Sequence, residues 1–403
     1  MALVLYFVYT IVKVYLFNPA IVREIKVPPI LPLVPYLPQV FQLQFLPPFY
    51  FTYWIIILAI IAITHEMAHG IFAAYDKVRI KTTGFGFFPY FLPIFMAAFV
   101  EPDEKMMAKK KRFSQLTILS AGTFANVITA GIFLVVLIGF FSAAFAPSGI
   151  VFDTYAVSKI SIAGISMVNG IPVANASYAK ILNLSNSSGF NDIIYNNQSY
   201  LATEEVLANQ TNNTGEIVVY NDAPAIRNNL SSIITKINGI PITSTEKLQE
   251  ELTKYRPGDN VTITEVDANG STEKRVMLEE RPDISERAWL GVGFYSQQPT
   301  GIVGGIVQQI SSFKSSNVYY QPKLGEASTF IYNLLWWIVI ISISVALVNM
   351  LPVGIFDGGR FFYLTVLGIT KSEKAAKRAF VFSTYLFLFI LLLLMILWFF
   401  SLF

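Results

Sequence analysis

Residues 50–75 read Tyr50-Phe-Thr-Tyr-Trp-Ile-Ile-Ile-Leu-Ala-Ile-Ile-Ala-Ile-Thr64-His65-Glu66-Met67-Ala68-His69-Gly70-Ile-Phe-Ala-Ala-Tyr75. A helix needs about 20 apolar residues to cross roughly 30 Å of hydrocarbon, and this run is long enough. Its polar interruption is confined to His65-Glu66-Met67-Ala68-His69. At about 3.6 residues per turn, side chains four apart share a face, so both imidazoles can reach one cation at about 2.0–2.1 Å. Glu66 falls about 100° round the helix, where it can meet a water on the metal rather than the metal itself. The bland alternative is a chance His/Glu cluster on a structural helix. Two features oppose it. The chain has only 2 histidines, both in this motif, and a charged residue at the centre of a span costs about 2.5–3.5 kcal/mol on the insertion scale.

Composition agrees with a membrane protein. Of 403 residues, 54% are hydrophobic and 14% charged, with 34 Phe and a mean hydropathy of +0.54, whereas soluble domains carry about 25% charged residues. There is no cysteine, which excludes disulfides, thiol catalysis, iron–sulfur clusters and Cys-type zinc sites. A net charge of +3 with no basic arm gives no footing for nucleic acid.

Outward from the motif, further spans are expected at Leu116–Phe145, Ile331–Pro352 and Ala379–Phe403, with shorter apolar pieces at Ala2–Phe17 and Arg360–Leu367. Asn18–Pro48, rich in proline, reads as a loop on the membrane surface. Arg79–Val100 mixes Gly, Pro and aromatics and suits a β-hairpin dipping into the membrane. Between Pro147 and Gly325 polar residues take over, and Ile165–Val173 recurs as Ile234–Ile242, each with an Asn-Gly turn. Such self-similarity implies two copies of one small module. The expectation is an α-helical polytopic membrane protein of about five to six transmembrane segments, with a membrane-dipping β-hairpin and an inserted soluble α/β region. Its parts are 1–146 (zinc helix and hairpin), 147–222 (first module, degenerate), 223–325 (second module and linker) and 326–403 (third ligand).

Lysines and arginines at 105, 109–112, 371, 374, 377 and 378 place those span ends in the cytosol and the insert outside. Nine Asn-x-Ser/Thr sequons lie in the insert, at Asn175, Asn183, Asn186, Asn197, Asn209, Asn212, Asn229, Asn260 and Asn269. Acceptors of this kind work only on the exported side.

Catalytic zinc takes three protein ligands and leaves a position open. With no further His or Cys, the third must be Asp or Glu. The candidate is Asp357 in Asn349-Met-Leu-Pro352-Val-Gly354-Ile-Phe-Asp357-Gly358-Gly359. Pro352 and Gly354 break the fourth long span there, and the glycines permit close backbone approach. Its other reading is a helix N-cap.

His65-Glu66-x-x-His69 with Asn349-x-x-Pro352-x-x-x-x-Asp357-Gly358 resembles the site-2 protease family of intramembrane zinc metalloproteases. Phe99-Val-Glu-Pro102-Asp103-Glu104 and Ala121-Gly122-Thr-Phe-Ala-Asn126 are similar to two further family signatures, although Thr123 stands where proline is frequent. The resemblance implies Zn2+ on His65, His69 and Asp357, Glu66 as acid/base, and a hairpin that takes substrate as an added strand. It also implies substrate contacts at Gly122, Asn126, Asn349 and Pro352. The insert resembles the PDZ modules of that family, which bind peptide ends by strand addition. The function expected is cleavage of transmembrane segments of membrane proteins, after an upstream site-1-type protease has trimmed the exterior. A zinc-binding transporter and a non-catalytic scaffold with exterior peptide-binding modules are the alternatives.

Overall fold

The structure is a computed structural model that describes residues 1–18, 22, 33–41, 46–88, 95–210, 215–267, 270–282, 284–294 and 312–401. They form two compact units, Met1–Ala144 with Leu324–Phe403, and Phe145–Lys323.

The first unit is helical. Its long elements are α1 (Ala2–Phe17), α2 (Phe51–Tyr75), α3 (Arg112–Ala144), α4 (Glu326–Asn349), α5 (Asp357–Thr370) and α6 (Glu373–Ser401). Among the described residues, four helices are long and apolar enough to cross a membrane: Phe51–Tyr75, Arg112–Ala144, Glu326–Asn349 and Glu373–Phe400. The five to six segments expected would need α1 or α5 among them. With 16 residues α1 reaches roughly 24 Å, and with 14 residues α5 roughly 21 Å, at about 1.5 Å per residue.

Phe49, Tyr53, Trp54, Ile57 and Ile61 pack with Trp337, Ile338 and Ile341 to make the core between α2 and α4. Lipid tails are as apolar as these side chains, so the contacts act through close fit. The apolar faces left outward on α3 and α6, such as Val135, Phe389 and Leu392, are exposed, as a lipid-facing surface requires. The described part of the proline-rich loop lies against the helices: Trp54 Nε1 donates to the Leu33 carbonyl (3.0 Å) and Trp337 Nε1 to that of Pro48 (3.1 Å).

After α2, Lys77 in the left-handed region (φ 54°) turns the chain into an antiparallel hairpin of β1 (Ile80–Phe88) and β2 (Phe95–Pro102). The connection between them, part of the expected hairpin, lies outside the described residues.

Besides two two-stranded pairs, the described residues of the second unit form two larger sheets. One orders Val157–Ser161, Glu216–Asn221, Gln198–Ala202, Asn191–Tyr195, Ile165–Val168 and Ile171–Pro172. The other orders Gly270–Met277, Asn260–Asp267, Ile233–Ile237, Phe145–Val151 and Val318–Pro322. The repeated motif makes the same object in each. Asn169 and Gly170 (φ 50° and 75°) and Asn238 and Gly239 (φ 48° and 79°) have the doubly positive φ that a two-residue hairpin turn demands. Each asparagine side chain also accepts from the backbone of a neighbouring strand, at Asp192 N (3.0 Å) and Thr262 N (2.7 Å).

The topology differs from a division at 222/223. Phe145–Val151 pairs with Ile233–Ile237, and Ile150 and Phe152 join the core of Leu230, Ile234, Ile237 and Ile263. The first sheet's core, Ile160 to Val219, is thus inserted in sequence within the second. Strand 145–151 is apolar where it pairs, so it completes the sheet whose neighbours it matches, whatever its distance along the chain.

Candidate metal centre

The turn of α2 that carries His65 and His69 is pressed against α3. Gly122 is the reason the helices can approach: a Cβ there would lie 2.4 Å from His69 Nε2 and 2.5 Å from His65 Nε2. The His69 ring is fixed from behind, Nδ1 lying 2.8 Å from the Ile118 carbonyl oxygen. Asn126 Nδ2 lies 3.0 Å from His65 Nδ1.

Asp357 arrives from the other end of the chain as the first residue of α5, with Phe356 at the N-cap position. Its carboxylate caps no helix through the Phe356 position; it faces the two imidazoles. Glycines make this approach possible. A Cβ at Gly358 would stand 2.4 Å from the Met350 carbonyl carbon, and one at Gly359 2.3 Å from the Val353 oxygen, so α5 starts directly against the turn that ends α4.

Asp357 Oδ2 lies 3.4 Å from His65 Nε2 and 3.2 Å from His69 Nε2, and the two Nε2 atoms are 3.2 Å apart. A tetrahedral zinc with ligands at about 2.0–2.1 Å sets its ligand atoms about 3.3 Å apart. The triangle matches that span on all three sides. His65, His69 and Asp357 could hold a metal ion. Two neutral imidazoles and one carboxylate leave a single negative charge for a divalent cation to offset.

These three residues line a cavity of about 700 Å³ together with Glu66, Asn349, Phe99–Pro102, Glu104 and Arg360. Glu66 Oε2 accepts from the Val100 backbone N–H at 2.9 Å, which joins β2 to the zinc helix. Arg360 Nη1 donates to Glu104 Oε1 at 2.9 Å. Both side chains are well exposed, so this pair contributes at most about 1 kcal/mol.

The family model of peptidase family M50, the site-2 protease family, matches residues 53–394. The chain belongs to peptidase family M50. Membership marks it as a protease of the zinc-using kind, and the four apolar helices mark it as a membrane protein. No curated protein matches the chain.

Four residues were expected to touch substrate in this M50 peptidase, and the structure separates them. Asn349 lines the cavity. Gly122 and the fully buried Asn126 instead back the histidine rings. Pro352 is buried, its carbonyl accepting from Ser383 Oγ at 3.0 Å. Val100 and Ile118 enter the site through backbone atoms, which leave no signature of residue type to be read in a sequence.

Proposed function

We propose that the chain is an intramembrane zinc endopeptidase that cleaves transmembrane segments of membrane proteins. The observation that carries this reading is the convergence of His65, His69 and Asp357 at zinc-ligand separations in one cavity with Glu66. Zinc bound there would act as a Lewis acid and make water acidic enough to be used near neutral pH. Glu66 would be the group that takes a proton from the attacking water and passes it to the leaving amine. Asn349 offers an amide to the substrate backbone from the opposite wall. The β1–β2 hairpin receives the unwound substrate as an added strand, since helical carbonyls are already hydrogen-bonded and shielded.

Sidedness follows from the lysine and arginine clusters, which keep the span ends near 105–112 and 371–378 in the cytosol. The second unit then lies outside. In support, all seven sequon asparagines among the described residues are exposed: Asn175, Asn183, Asn186, Asn197, Asn209, Asn229 and Asn260. We read them as glycan carriers, and a protein whose mass ignores glycosidase treatment in its own host would discard that part. The second unit also has a cavity of about 600 Å³ between Leu248–Leu252 and Trp289–Phe294, which supports its reading as a PDZ-like pair that captures peptide ends. Such capture suits substrates already cut outside by a site-1-type protease.

The deciding experiment uses purified full chain with a transmembrane model peptide. Glu66→Gln should keep about one zinc per chain and lose cleavage by roughly a hundredfold or more, as removal of a general base does. Normal cleavage by that variant would overturn the mechanism.

A further inference from the structure

An imidazole that directs the Nε2 lone pair at a cation carries its proton, when neutral, on Nδ1. Both histidines turn Nε2 towards Asp357, so each needs a hydrogen-bond acceptor at Nδ1. His69 has one in the Ile118 carbonyl, 2.8 Å away, which cannot donate and so settles that ring. For His65 no such carbonyl is found among the described residues. Its Nδ1 meets the side-chain amide of Asn126, a residue with 0% exposure.

The amide as placed presents Nδ2 to His65 Nδ1 at 3.0 Å, while its own Oδ1 is buried without a partner. A donor at that point would hold the proton of His65 on Nε2 and deny that nitrogen to a metal. Half a turn about the terminal torsion exchanges the two atoms at no change of shape, because amide oxygen and nitrogen are near-isosteric. It brings Oδ1 to Nδ1–H, the acceptor that a zinc-ligating His65 requires, and places the amide N–H groups at the buried position Oδ1 now holds.

We propose that Asn126 is a positioning residue that accepts from His65 Nδ1–H through Oδ1 and thereby fixes the tautomer and ring plane in which His65 can ligate zinc. This rests on the zinc reading above. Gly122 and Asn126, one helical turn apart on α3, then act together: the first makes room for both rings and the second sets one of them. Partners of this kind to a metal-binding histidine are typically worth 10–100-fold in affinity.

The chain's 2 histidines make the test direct. With 15N-labelled histidine, the ring nitrogens of the full chain in detergent give separable signals whose shifts report protonation and metal ligation. In zinc-loaded wild type, both rings should show a protonated Nδ1 and a ligated Nε2. Asn126→Asp keeps only acceptors and should preserve this pattern and the zinc affinity. Asn126→Leu, of similar volume, should weaken zinc 10–100-fold and shift the His65 signals while leaving those of His69 in place. Wild type that ligates through His65 Nδ1, or an Asn126→Leu protein with unchanged zinc affinity, overturns the proposal. So would equal weakening by Asp and Leu, since the amide would then be acting as a donor. Wild type that binds no zinc would instead overturn the zinc reading itself, so the two failures are distinct.

Discussion

Glu66 Oε2 and the backbone N–H of Val100 are joined at 2.9 Å. The carboxylate assigned to proton transfer is therefore aimed by the strand that follows the zinc helix. Val100 pairs with Thr83 of β1, yet its N–H goes to Glu66, so this donor sits on the outer edge of the hairpin. Proline is tolerated on an edge strand where the lost N–H is not part of the ladder. Val100→Pro should consequently spare the hairpin and remove one charge-assisted hydrogen bond, worth about 1.5–3 kcal/mol. The expected result is roughly 10–150-fold lower kcat/KM with zinc content unchanged. Full activity in that variant would show that Glu66 is oriented by something else.

Two glycines on α3 separate a functional requirement from a helical one. At Gly122 an added Cβ would collide with both imidazoles, whereas at Gly131 it meets nothing within 4 Å. Gly122→Ala should lower zinc affinity at least tenfold, the scale on which disturbed ligand support is felt. Gly131→Ala should bind zinc normally and, if anything, melt higher by an amount equivalent to about 0.5–1 kcal/mol. Zinc titration and thermal melting of the two purified variants side by side check this. Equal zinc affinities would mean that the rings have slack.

The candidate metal site was legible in the sequence because its chemistry is rare there. The 2 histidines share one motif, and a carboxylate among apolar spans is conspicuous. Asp357 could be placed because Pro352, Gly358 and Gly359 announce a break with room for close packing. Asn126 was not legible in its role. It resembles a substrate contact by motif, but its partner, His65, is 61 residues away, and only three dimensions bring them together. The insertion of one module within the other was hidden for the same reason. Strand Phe145–Val151 carries no mark of pairing with Ile233–Ile237, since any apolar alternation would satisfy either sheet. The Asn-Gly turns, by contrast, are local, and local chemistry is what a sequence displays.

Asn191 is the polar anchor of the inserted sheet. It is fully buried, and its Oδ1 accepts from Asn169 Nδ2 (2.8 Å) and Asn186 N (2.6 Å). Its Nδ2 donates to the carbonyls of Asn186 and Ala202, each at 3.2 Å. Replacement by alanine strands several of these partners, each at about 1–3 kcal/mol if it finds no water. Asn191→Ala should destabilise the second unit by about 2–4 kcal/mol, seen as faster proteolysis of 157–221 in the intact protein. The candidate metal residues belong to the other unit, so zinc content should stay at the wild-type level. Unaltered proteolysis would show that water replaces the amide without cost.

Glu251 gives the second unit an acid-sensitive contact. Its carboxylate is 2% exposed and takes hydrogen bonds from Lys254 Nζ (2.7 Å) and Tyr255 OH (3.1 Å). The hydrogen bond from Lys254, followed by that from Tyr255, outweighs burial and holds the carboxyl below its ordinary range. The sign follows from linkage: a carboxyl depressed in the folded state adds stability above its unfolded value, about 4.3, and that stability fades as pH falls through the folded value. Acidifying the full chain from pH 6 towards pH 3.5 should therefore lower amide protection factors across 245–255, each taken relative to the intrinsic exchange rate at that pH. Glu251→Gln cannot titrate, so protection there should be lower than wild type at pH 6 and should fall less on acidification. A variant whose exchange tracks wild type at both ends of the range would remove Glu251 from the acid response.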